Sequence, residues 1–167
     1  MLADYGHLNR ARQHMTRLTA MIPERDRAML HMLEARFAVA QGNPVDSCRA
    51  YMDALTERGF PDDPNIPPWH GVIYRAATSA LASGDAEAAD SLARHAIRLE
   101  GELGQDESRS GDIGLALLLL SRARLAVGDS VGSREALLRA VAPHESGLGP
   151  SHTGTREARR LLAGGVH

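Results

Sequence analysis

Eight histidines are the residues of this chain best equipped for chemistry, and metal binding is the first chemistry they suggest. A helical metal site needs two ligands three or four residues apart, so that both rings leave the same face. No two histidines here have that spacing. A scattered set of surface or partly buried imidazoles is therefore expected, with no metal and no cofactor. Asp62 and Asp63 are adjacent and could share acid–base work, but they stand in the Pro-rich stretch "GFPDDPNIPPW" and read as solvated loop carboxylates. Ser151 and His152 are neighbours in sequence, which is not the geometry of a nucleophile and its base. All 19 basic residues are arginine. With no lysine there can be no phosphate-loop lysine, no Schiff base and no Ser-x-x-Lys pair. The Gly-x-Ser-x-Gly phrase "GDSVG" (128–132) is flanked by helical rather than strand patterns and so is not a strand-to-helix nucleophile elbow, and no Gly-x-Gly-x-x-Gly loop occurs. The sequence offers no argument for catalysis.

Composition bounds the partners as well. A net charge of −2 gives no electrostatic case for nucleic acid or for an anionic membrane. Cys48 is the single cysteine, so no internal disulfide is possible. The N-terminus "MLADYGHLNRARQHM" is charged where a signal peptide would be apolar. A reducing cytoplasm fits both features. The longest apolar run, "LALLLL" (Leu115 to Leu120), is far too short to span a bilayer and reads as a buried helix turn.

The elements that position these residues show themselves as a repeat. "ASGDAEAADSLARHAI" (82–97) returns as "AVGDSVGSREALLRAV" (126–141), and weaker copies are "DYGHLNRARQHMTRL" and "AQGNPVDSCRAYMDAL". Gly6, Gly42, Gly84 and Gly128 anchor the alignment at intervals of 36, 42 and 44 residues. Five residues after each glycine stands a small residue: Ala11, Ser47, Ala89 or Ser133. Twelve after stand Leu18, Ala54, Ala96 and Ala140, and seven before the last three stand Ala35, Ala77 and Ser121. Glycine supplies the left-handed residue that ends a helix. Asn43, Asp85 and Asp129 follow it as N-caps for the next helix, and Pro44 suits the first helical position. Each unit thus predicts helix A, a turn at glycine and helix B, with small residues where the two axes approach.

This pattern resembles the tetratricopeptide repeat, which places small residues at these offsets from the hairpin glycine and often has a proline where Pro23 stands. The resemblance covers about residues 2–142. The usual period is about 34 residues; the surplus here lies in the Pro- or Gly/Ser-rich stretches 59–69 and 101–112. "LGPSHTGT" is similar to the Leu-Gly-x-x-His-Pro-x-Thr phrase of the kinesin-light-chain-like subgroup at Leu148, Gly149, His152 and Thr155, with Thr153 in place of the proline.

The resemblance implies an all-α fold, a right-handed α-solenoid of antiparallel hairpins forming one domain over residues 1–167. It would comprise a half repeat at 1–23, repeats at 25–58, 68–100 and 111–144, and a capping helix at 154–163 with Arg156, Arg159 and Arg160 on its polar side. It also implies a function: a scaffold that holds a partner protein or peptide in the concave groove lined by helices A. Carrying the register across, the groove residues are Met29, Met32 and Arg36, then Tyr74, Arg75 and Thr78, then Leu115, Leu118 and Arg122. The arginines could meet carboxylates bidentately. Similar arrays serve as C-terminal regulatory tails of larger bacterial kinases and transcription regulators, which is the alternative; a small-molecule site or an enzyme is a more distant one. The half repeat leaves helix 7–22 without its own partner. Its apolar stripe of Leu8, Ala11, Met15, Leu18 and Ile22 predicts an upstream domain or self-association through this helix.

Overall fold

In a computed structural model the protein is described over residues 2–23, 26–60 and 69–164, the side chains of residues 2–8, 11, 12 and 70 aside. Asp62 and Asp63 lie outside the described residues, as do the side chains of Leu8 and Ala11. The fold is all-helical, with no strand among the described residues. Eight helices follow one another there: α1 (Leu2–Met21), α2 (Arg27–Ala40), α3 (Pro44–Thr56), α4 (His70–Ala82), α5 (Ala86–Glu102), α6 (Gly111–Ala126), α7 (Ser130–Leu148) and α8 (Thr153–Gly164). They fall into two compact units, residues 1–79 and 80–167, whose boundary lies within α4.

Gly42, Gly84 and Gly128 have φ of +70°, +88° and +84°. At each, the glycine N–H donates three residues back, to Val39, Leu81 or Leu125 (2.9, 3.1 and 3.0 Å). The next N–H donates five residues back, to Ala38, Ala80 or Arg124 (2.9 Å in all three). That pair of bonds is the Schellman motif, and it satisfies carbonyls the helix end leaves open. The residue making the second bond then caps the following helix with its side chain: Asn43 accepts from the Asp46 N–H at 3.1 Å, Asp85 from Ala88 at 3.0 Å and Asp129 from Gly132 at 2.8 Å. A stop and a start are thus fused into two residues. That is why the hairpin is so short.

Two more helices end in the same way. Gly59 (φ +88°) closes α3 and Gly104 (φ +75°) closes α5, each with the same pair of bonds. Gly6 departs from the expectation of a turn, since α1 runs through it from Leu2 to Met21. Its successor is His7 rather than an Asn or Asp, so the cap that would start a new helix is missing.

The small residues mark where helices meet. Ala35, Ala77, Ser121, Ser47, Ala89, Ser133, Ala54, Ala96 and Ala140 are all at most 5% exposed. Leu18, the corresponding residue of α1, is 40% exposed. Two buried serine pairs join neighbouring helices through their hydroxyls: Ser47 of α3 with Ser79 of α4, and Ser121 of α6 with Ser133 of α7, both at 2.9 Å. Each pair lets two polar groups enter a small-residue contact with a partner for both.

In the first unit α2 packs along α3, while α1 meets α2 over only a few residues. In the second unit α6 is central. It packs on α5 and most extensively on α7, and α8 closes over α7 and touches α6. Ile113, Leu117 and Ala140 form one core cluster with Ile97, and Leu118, Leu137 and Ala158 form another with Val141, Leu161 and Leu162. Among the described residues no helix is long and apolar enough to cross a membrane.

Candidate partner-binding faces

On α2, Met29, Met32 and Arg36 follow one another at i, i+3 and i+7, which places them on one face. Met29 is 49% exposed, Met32 half-buried and Arg36 exposed. The opposite face carries the buried Ala28, Ala35 and Ala38 toward the hairpin. On α4, Tyr74 is half-buried, and Arg75 and Thr78 are exposed. The Thr78 hydroxyl donates to the Tyr74 carbonyl at 2.9 Å. Arg36 and Arg75 form no ion pair among the described residues. Among these six residues, Met29, Arg36, Arg75 and Thr78 are thus exposed to solvent, with Met32 and Tyr74 partly so.

The second unit treats the same register differently. On α6, Leu115, Leu118 and Arg122 share the spacing of the α2 triplet, but only Leu115 remains half-exposed without a role in the core. Leu118 is 4% exposed and packs against Leu137 of α7 and Ala158 of α8. Both Nε (3.1 Å) and a terminal nitrogen of Arg122 donate to the Glu157 carboxylate of α8. Of these two residues, expected to line a groove, Leu118 is buried against the last helix, and Arg122 is paired with that helix while its side chain stays 39% exposed. The reason is that the apolar side of α8, with Ala158, Leu161 and Leu162, packs on Leu118 of α6 and on Leu137 and Val141 of α7.

Two clefts have no counterpart in the sequence reading. One of about 400 Å³ in the first unit is lined by Met15 and Thr19 of α1, Glu34 and Phe37 of α2, and Asp46 and Asp53 of α3, among others. It exists because α1 covers the α2–α3 hairpin incompletely. His31 and Arg49 already partner Glu34 and Asp46 there. The other, of about 410 Å³, lies on α5 beside Asp90, Arg94, His95 and Arg98. Its arginines face carboxylates, with Arg94 on Asp90 and Arg98 3.7 Å from Glu102, and Arg98 also hydrogen-bonds His95 at 2.7 Å. Burial, then the Arg98 guanidinium, lowers the His95 pKa, and Glu102 opposes them.

Among the described residues no group of three or more His, Cys, Asp or Glu side chains is placed to hold a metal ion. One histidine is nonetheless unusual. His144 is fully buried, and neither ring nitrogen has a hydrogen-bond partner. Its only signal in the sequence is "GDIG", a glycine inside an apolar helix pattern, because Gly114 leaves room for that ring.

Against known proteins, no protein-family model matches the chain and no curated protein matches it.

Proposed function

We propose that the protein is an interaction module: tetratricopeptide-type hairpins arranged as a right-handed α-solenoid, binding a partner protein or peptide through its A helices rather than performing catalysis. The observation that carries this reading is the threefold recurrence of one hairpin code, glycine at positive φ followed by a capping Asn or Asp, with buried small residues at fixed offsets. Repeated hairpins of this kind cannot bury their apolar faces singly, and stacking leaves long ordered surfaces suited to binding. The uncovered face of α2 and the side chains of Tyr74 and Arg75 supply the site. Methionine adapts to varied apolar partners, and the guanidiniums of Arg36 and Arg75 favour carboxylates. The ligand class is therefore an acidic segment with interspersed apolar residues.

Selection from a random-peptide library tests this. The expected result is enrichment of acidic, apolar-containing peptides whose affinity falls more than about tenfold in Arg36→Glu with Arg75→Glu, since reversing a rim charge repels the ligand. Circular dichroism should remain unchanged, both side chains being exposed. Failure to enrich any peptide, or equal binding by the double variant, would contradict the reading.

A further inference from the structure

His144 occupies a slot that the sequence has cleared for it. Its ring lies between α6 and α8, at a glycine on each side. A Cβ at Gly114 would stand 3.0 Å from the His144 backbone nitrogen and 3.1 Å from its ring, and one at Gly154 would stand 2.7 Å from ring Cε1. Neither position tolerates a side chain without displacing the imidazole. The ring is 0% exposed, and both nitrogens lack hydrogen-bond partners. His152, from the turn between α7 and α8, stacks on it with centroids 6.5 Å apart and planes 22° apart. Pro143, also buried, precedes it inside α7.

Such a slot favours a neutral imidazole over an imidazolium, which would be a buried cation with two N–H groups and only the Gly114 backbone beside it to accept. The charged groups around the ring come from each surrounding element. His152 faces it from the turn; Glu157 lies on α8, its carboxylate held by Arg122 of α6; and α6 itself offers only the Gly114 backbone at the contact. Burial is the largest influence on the His144 pKa and lowers it, and the charge of His152 lowers it further. The Gly114 backbone and the Glu157 carboxylate act the other way without prevailing.

We propose that the His144–His152 pair is an acid-sensitive latch: it holds α8 in place while neutral and releases it when His144 takes up a proton, uncovering Leu118 of α6. The remaining ties of α8 are peripheral to this slot. They are the apolar cluster of Ala158, Leu161 and Leu162 with Leu118, Leu137 and Val141, the pairs of Arg122 with Glu157 and Arg159 with Glu145 (2.7 Å), and the Thr155 hydroxyl donating to the Gly149 carbonyl at 2.8 Å. Opening gives His144 solvent, so the proton is bound more tightly by the open form than by the closed one. By linkage, closed-state stability is complete above the ordinary imidazole value of about 6.5 and falls as pH drops below it, until the lowered closed-state value is reached. The proposal is independent of the interaction-module reading, because it concerns what holds α8 down and not what binds beneath it.

Hydrogen exchange of the full chain at about pH 7.5 and about pH 5.5, corrected for intrinsic rates, tests it. The lower pH lies above the range in which carboxylates ordinarily protonate, so a response there belongs to histidine. Opening of α8 should increase up to about tenfold at the lower pH, the ceiling for one imidazole a unit below its free value, with α2 and α3 unchanged. His144→Leu, which cannot titrate, should abolish that increase. Equal protection of wild-type α8 at both pH values, or an acid response that survives His144→Leu, would overturn the latch. Should His144→Leu not fold, the His144 ring proton followed by NMR in the wild type decides. Titration below the free-imidazole value in step with loss of α8 protection supports the proposal, and an ordinary midpoint with α8 still protected overturns it.

Discussion

At the scale of single residues, the hairpin rests on backbone conformation more than on contact. A Cβ on Gly84 would meet nothing within 4 Å, yet φ there is +88°. Gly84→Ala should therefore cost about 1–2 kcal/mol purely from the left-handed backbone, and Gly84→Asn less, because Asn tolerates this region better. Equal melting temperatures for wild type and Gly84→Ala would show that the turn does not need its glycine. Asp85→Ala removes the acceptor of the Ala88 N–H and should cost about 1 kcal/mol by denaturant titration. Both turn residues are legible in the sequence because stop and start are local signals, written as Gly-Asp. Gly59 and Gly104 carry the same stop signal but no adjacent cap, so they read as loop glycines. Gly6 misleads for the complementary reason. A glycine at a repeat interval is not a turn unless a cap follows it, and an interior glycine costs a helix only about 1 kcal/mol relative to alanine. The environment of His144 escapes sequence reading altogether. Its slot is assembled from Gly114, Pro143 and Gly154, and only tertiary packing brings these together.

Helices meet at positions fixed by the repeat, and this scale is the most legible. The offsets of small residues from the glycine follow from the period of 3.6 and the closeness of the two axes, so spacing alone assigns Ala35, Ala54, Ala77 and Ala140 to contacts. Ala140 is fully buried beside Ile113 and Leu117. Ala140→Leu should destabilise the second unit by about 1–3 kcal/mol through overpacking, a loss readable as a lower urea midpoint at unchanged slope. An Ala140→Leu variant as stable as wild type would mean the α6–α7 contact is loose. Leu137→Ala empties a site that is 0% exposed and should cost about 2–5 kcal/mol. Which face of each helix remains open is not legible. The α2 and α6 triplets have the same spacing and similar chemistry, but α8 covers one of them. Periodicity tells a helix which side is inward and cannot say which later element will arrive on the other side.

For the molecule as a whole, the two units give a chain whose contacts are mostly between neighbouring helices. On the proposed solenoid reading, stability is a sum of local terms. Leu137→Ala should accordingly accelerate exchange in α6, α7 and α8 more than in α2 and α3, and a uniform acceleration would show that the chain opens as one cooperative block. The proposed role is binding, through the face of α2 that carries Met29 and Arg36 and through the residues around Tyr74. Chemical-shift mapping tests it most directly, with an isotope-labelled protein titrated with an acidic, apolar-containing peptide from the library selection. The expected result is saturable perturbation of amides at Met29, Met32, Arg36, Tyr74, Arg75 and Thr78, lost in Arg36→Glu with Arg75→Glu. Saturable perturbation confined to other helices, or none at any peptide concentration, would contradict the account.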